Sequence, residues 1–174
     1  MCLTSGFTVH NISFLDKYVD INIDGWMSSG NSVPFEVTLR VRDTCLCLHA
    51  QRAARALARR FDEALRPLGL TNGQFSLMMA LNRPQAPAMG NVADLLAMDR
   101  TTLTAKLKPL ERRGLVAVRF DEADKRRRRL ALTPEGRALL ASAVPLWEGA
   151  HAEAERLLAG SSAERLRADL RALS

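Results

Sequence analysis

The sequence of 174 residues holds only three cysteines, Cys2, Cys45 and Cys47. So small and odd a number argues against a disulfide framework. It has no run of about 18 apolar residues, which excludes a membrane-spanning helix. The N-terminus lacks a basic stretch followed by an apolar one, so no signal peptide is readable and the cytoplasm is the expected location. Aromatic residues make up 5% of the chain, while Ala, Leu and Arg dominate. That balance favours helix over sheet. Internal repeats and low-complexity tracts are absent. What is present is 47% hydrophobic and 25% charged residues, ordinary for a globular protein. The length suits one compact domain or two small units sharing a core.

The net charge of +6 is unevenly spread. Residues 1–40 carry −2, whereas residues 100–129 alone carry +7. Positive charge gathered in one short segment is the footprint expected for a polyanionic partner, because a merely solvated face mixes signs.

Residues 1–42 differ from the rest in being rich in Ser, Asn, Gly, Val, Ile and Phe. They read as an N-terminal arm, disordered or partly a mis-assigned start, with Met27 as an alternative first residue. Val19–Ile23 and Phe35–Val41 look strand-like. From an N-cap at Asp43, Leu46, Ala50, Ala53, Leu57, Phe61, Leu65 and Leu68 form one helical stripe that ends at Gly69. Thr71 caps a second helix, which Arg83-Pro84 and Pro87 break. A short helix over Asn91–Ala97, a turn at Met98-Asp99 and a helix over Arg100–Arg113 follow, closed by Gly114. Leu115–Phe120 and Arg127–Leu132 then read as the strands of a hairpin. Thr133-Pro134 starts a long helix to Ala159 that Pro145 is expected to bend or split. Ser161 with Glu164 is expected to cap a last helix bearing Leu166, Leu170 and Leu173.

The order helix, turn, helix, hairpin carries the functional reading. Two short helices joined by a tight turn place the second in a DNA major groove. That second helix, capped by Asp99, holds Leu103, Leu107 and Leu110 toward the core. Arg100, Thr101, Thr102, Thr104, Lys106 and Lys108 are left for base edges and phosphates. Pro109 is expected to bend it. In the hairpin, Arg126, Arg127, Arg128 and Arg129 alternate between its faces, and a basic tip suits a narrow minor groove.

The runs Val92-Ala93-Asp94-Leu95-Leu96-Ala97-Met98-Asp99, Thr102-Leu103-Thr104 and Leu110-Glu111-Arg112-Arg113-Gly114-Leu115-Val116 resemble the MarR (multiple antibiotic resistance) family of bacterial regulators. In the hairpin, Asp124, Arg126, Leu132-Thr133 and Gly136 keep that family's spacing. The resemblance covers about residues 44–172. It implies a mainly α fold with a small β-hairpin wing, a winged helix-turn-helix plus a helical dimerisation region. Residues 71–133 would be the DNA-binding lobe, and residues 43–70 with 134–174 the dimerisation region. The resemblance also implies that Arg126 enters the minor groove, that Asp124 orients the wing, and that a homodimer reads a pseudo-palindromic operator.

Members of that family respond to phenolic or lipophilic compounds or to oxidants. His49, Arg52, Phe75 and Met79 are candidate lining residues of such a pocket, and they serve equally as core. Cys45 and Cys47 are candidate redox residues in the first turn of the first helix, where the helix dipole stabilises a thiolate. In the peroxide-sensing branch tyrosines hydrogen-bond the reactive sulfur; here Gln51, Phe61 and Asn72 stand at those positions, and the sole tyrosine is Tyr18. A metal held by Cys45, Cys47 and His49 is disfavoured, because on a helix Cys47 lies about 200° around from Cys45. No metal, other cofactor or enzymatic activity is expected. The expectation is therefore a dimeric, sequence-specific transcription regulator, taken as a repressor, released by a small molecule or an oxidant. A peroxide-reacting thiol protein using Cys45 and Cys47, or a non-specific architectural DNA binder, stand as alternatives.

Overall fold

The computed structural model describes residues 33–121, 124–125, 128–158 and 160–173. The chain divides into two units between Leu46 and Cys47. The first is described by helix α1, Phe35–Thr44. Its β-branched residues suggest a strand, but Pro34 supplies an extended N-cap, Glu36 lies in the first turn and Arg42 in the last. Charges so placed complement the helix dipole. Asp43 sits in the last turn of α1, so the residue that precedes the following helix is Cys45 and not Asp43. Cys45 is extended and interrupts the helical run, so of the two cysteines only Cys47 occupies a helical first turn. The strand expected over Val19–Ile23 lies outside the described residues.

The second unit takes in α2, Leu46–Leu65, from Cys47 onward, and continues through a 3-10 turn at Arg66–Leu68. Pro67 in that turn has no N–H to continue the α-helical ladder. Helix α3, Asn72–Leu81, starts in a capping box in which Thr71 and Gln74 satisfy each other's backbone amides. Asp62 of α2 accepts a further hydrogen bond from the Asn72 amide at 2.6 Å. Three otherwise orphaned donors are satisfied at this junction. Helix α3 is the centre of the core, with Phe75, Leu77, Met78, Ala80 and Leu81 buried.

Helix α4, Met89–Leu95, and helix α5, Arg100–Arg112, follow. Between them the Ala97 amide bonds Asp94 O and the Met98 amide bonds Ala93 O. This is the bond pair of a Schellman motif. Its left-handed position is Ala97, at φ 48°, where glycine is the usual occupant. Strands β1, Val116–Phe120, and β2, Arg128–Leu132, pair antiparallel with Val116 opposite Leu132 and Phe120 opposite Arg128. Val116, Leu130 and Leu132 enter the core beside Leu103, Leu107 and Leu110.

Helix α6, Pro134–Arg156, is continuous through Pro145 and is not split there. Its start is packed tightly against the hairpin. Thr133 Oγ1 accepts from the Gly136 amide at 3.0 Å and donates to Gly114 O at 2.7 Å, and the Thr133 amide bonds Leu115 O at 3.1 Å. Leu140 and Ala143 reach the core. Helix α7, Ala163–Ala172, is capped by Ser162, one residue beyond the expected Ser161. Because Arg165 stands at its third position, no capping box forms. Leu57 of α2, Leu157 after α6, and Leu166, Leu170 and Leu173 around α7 remain exposed. Among the described residues no helix is long and apolar enough to cross a membrane.

Candidate nucleic-acid interface

Helix α5 is anchored at both ends. At its start Asp99 accepts from the Thr102 amide at 2.7 Å and from the Thr102 hydroxyl at 2.6 Å. These bonds, the hydroxyl's first, hold the Asp99 carboxyl below its ordinary range. At its end Arg113 donates to Gly69 O at 2.6 Å and to Leu68 O at 3.3 Å. The C-terminus of α5 is thereby tied to the turn that ends α2. Pro109 lies inside the helix, which continues to Arg112.

With Leu103, Leu107 and Leu110 buried, the hundred-degree step of the helix turns Thr101, Ala105, Lys108 and Arg112 outward. Arg100, Thr101, Thr104, Ala105 and Lys108 line one shallow groove along this face. Ala105, Lys108, Pro109, Glu111 and Arg112 line a second beside it. Four of the six candidate contacts on α5 are thus brought together, and two are not. Thr102 does not line either groove, and its hydroxyl donates to the Asp99 cap, as the Thr104 hydroxyl does to Arg100 O at 2.7 Å. Lys106 reaches back toward α3, with its Nζ 3.7 Å from where a Cβ on Gly73 would stand. Arg112 was missed by sequence reasoning, although its position at i+4 from Lys108 was a readable signal.

The hairpin projects from the end of α5. Arg128 is exposed on β2, and Asp124 is half-buried between the strands. Arg126 and Arg127 lie outside the described residues. Arg129 is turned to the protein: its Nε donates to Asp121 Oδ2 at 2.7 Å and its Nη1 to Ala86 O at 2.9 Å. Asp121 is 8% exposed. This pair was also missed, since four consecutive arginines give no sign of which one is committed internally.

The candidate effector residues are dispersed. His49 and Arg52 are exposed on α2, and Met79 is exposed on α3. Phe75 is buried and stacks on Trp147, centroids 6.1 Å apart, and Trp147 stacks on His151 at 4.8 Å. His151 Nε2 lies 3.1 Å from Glu155 Oε1, which also accepts from Arg167 of α7 at 2.8 Å. The Arg167 hydrogen bond leads in holding the Glu155 carboxyl below its ordinary range. Cys47 is exposed, and Gln51 Nε2 lies 3.2 Å from its sulfur in hydrogen-bonding geometry. Cys45 is half-buried. Among the described residues no three His, Cys, Asp or Glu gather as metal ligands would.

Helix, turn, helix and paired wing define a winged helix-turn-helix protein. Residues 70–127 match the MarR family model. Over 97 residues the chain is 36% identical to the transcriptional regulator HosA of Escherichia coli O111:H-, covering 55% of this chain and 70% of HosA. The structure is similar to that of the Mycobacterium tuberculosis transcriptional regulator MosR in complex with DNA. There the TM-score is 0.68 and the identity 41%, over 74% of this chain and 92% of MosR. It is also similar to Bordetella bronchiseptica BpsR, whose DNA binding is regulated by 6-hydroxynicotinic acid, with a TM-score of 0.63 and 28% identity over 75% of this chain and 91% of BpsR. The chain belongs to the MarR family.

Proposed function

We propose that this chain is a homodimeric, sequence-specific DNA-binding regulator of transcription, acting in the cytoplasm. The single observation that carries the reading is the outward face of α5. Arg100, Thr101, Thr104, Lys108 and Arg112 stand together there, with the basic wing at the helix's end. Hydroxyls and cations on a helix dimensioned for a major groove supply base and phosphate contacts at once. Arg128, with Arg126 and Arg127 beside it in sequence, carries the wing's charge to the minor groove. MosR, the similar protein seen with DNA, supports the same use of the fold.

The exposed Leu57 of α2, Leu157 just after α6, and Leu166 and Leu170 of α7 form the surface that a second copy covers. Each fully buried leucine contributes roughly 1.5–3 kcal/mol, which offsets part of the cost of association. Residues 43–70 and 134–174 are accordingly the dimerisation region, and residues 71–133 the DNA-binding lobe. The dimer acts as a repressor released by a signal. BpsR supports a small aromatic acid as one class of signal. An oxidant is the second reading, favoured by one observation: the exposed Cys47 sulfur with the Gln51 amide at hydrogen-bonding distance.

Enrichment of duplexes from a randomised pool by the purified chain tests the reading. An inverted repeat with half-sites about one helical turn apart is expected. Recovery of unselected sequence at matched salt would overturn sequence-specific binding and favour an architectural role.

A further inference from the structure

We propose that Asp121 and Arg129 form a joint that fixes the angle of the wing against the helix-turn-helix. Both are then positioning residues for DNA binding and not DNA contacts. The inference rests on the DNA-binding reading above. Arg129 stands directly opposite Arg119 in the hairpin register, an arrangement of like charges that destabilises a strand pair. The Arg129 side chain turns away from this repulsion. Its Nε and Nη2 both lie 2.7 Å from Asp121 Oδ2. Its Nη1 reaches Ala86 O at 2.9 Å.

The backbone makes the same connection. The Leu130 amide donates to Pro87 O at 3.0 Å, and Ala88 pairs with Arg129 as an isolated bridge. Ala88 is the N-cap of α4. The segment before α4 is therefore held along the outer edge of β2, and Arg129 spans the seam. A planar guanidinium with five donors in a fixed fork suits this task, and an ammonium does not. A carboxylate 8% exposed beside so basic a hairpin contributes nothing favourable to a DNA surface. Its chemistry fits an internal partner. An isolated two-stranded hairpin is marginal in water, so its direction depends on what holds its edge.

Charge and position predict opposite signs, which makes the test sharp. The wild-type chain, Asp121→Asn and Arg129→Lys are titrated against the duplex that the wild type enriches from a random pool. Salt is varied, and circular dichroism verifies folding at the assay temperature. Asp121→Asn removes a negative charge and Arg129→Lys retains the positive one. Losing a charge-assisted hydrogen bond nevertheless weakens binding about tenfold in each. Hydrogen exchange at the Leu130 amide, read without DNA, is expected to accelerate in both. Tighter binding by Asp121→Asn with a steeper salt slope, or unchanged affinity in Arg129→Lys, would overturn the joint. Unaltered exchange at Leu130 would do the same. A wild-type chain that binds no duplex would overturn the DNA reading itself and the inference with it.

Discussion

Gly136→Ala adds one methyl where, among the glycines of the described residues, the backbone is approached most closely. A Cβ there would overlap the Leu115 carbonyl oxygen and stand 3.0 Å from its carbon and 3.3 Å from its Cα. The Leu115 carbonyl cannot retreat freely, because it accepts from the Thr133 amide and the neighbouring Gly114 carbonyl accepts from the Thr133 hydroxyl. Relief requires a shift of roughly an ångström. Overpacking of this kind costs about 1–3 kcal/mol, and weakening one of the two hydrogen bonds about 1 kcal/mol more. The gain in helix propensity returns at most about 1 kcal/mol. With the full propensity gain a net loss of about 1–3 kcal/mol is expected, a sizeable share of a typical folding free energy of about 5–15 kcal/mol. Gly149 supplies the internal control. It lies in the same helix, and a Cβ there meets nothing within 4 Å, so Gly149→Ala is expected to gain about 0.5–1 kcal/mol. Urea unfolding followed by circular dichroism, at matched protomer concentration, reads both. Equal gains for the two variants would refute the close approach.

Ala97→Gly relieves the left-handed backbone of the helix-turn-helix turn and is expected to raise stability by about 1 kcal/mol; thermal melting that shows a loss would contradict this. Asp99→Asn probes the cap of α5. The Asp99 carboxyl is held below its ordinary value of 3.8, so its stabilising contribution is present above that value and is lost as pH falls through the lower folded value. The stability difference between wild type and Asp99→Asn is therefore expected to shrink below pH 3.8, and a difference constant with pH would refute the assignment. Lys108→Ala, on the outward face, should weaken DNA binding and reduce the slope of log K against log salt by about 0.9. Lys106→Ala, turned toward α3, should change that slope less, and the reverse order would displace the proposed face.

Much of this arrangement was legible in the sequence because it follows from local chemistry. Thr71, Asp99 and Thr133 are caps whose side chains have one natural use, and all three make it. Leu103, Leu107 and Leu110 set the inward face of α5 by spacing alone. What was not legible depended on competition or distance. The β-branched run of α1 misled as a strand because Pro34 and the end charges outweigh weak propensities. The bond from the Thr102 hydroxyl to the Asp99 cap is not announced by the residue type. The choice of Ser162 over Ser161 is a shift of one residue that either hydroxyl allows. Asp121 and Ala86 meet Arg129 only through the fold, and no spacing rule connects them.

Sequence discrimination by the winged helix-turn-helix is read from the ratio of two affinities. The duplex enriched from a random pool and a scrambled duplex of equal length and composition are titrated at one physiological salt concentration. Binding to the enriched duplex is expected to be at least about a thousandfold tighter, the lower end for specific regulators. Equal affinities for the two duplexes would contradict it.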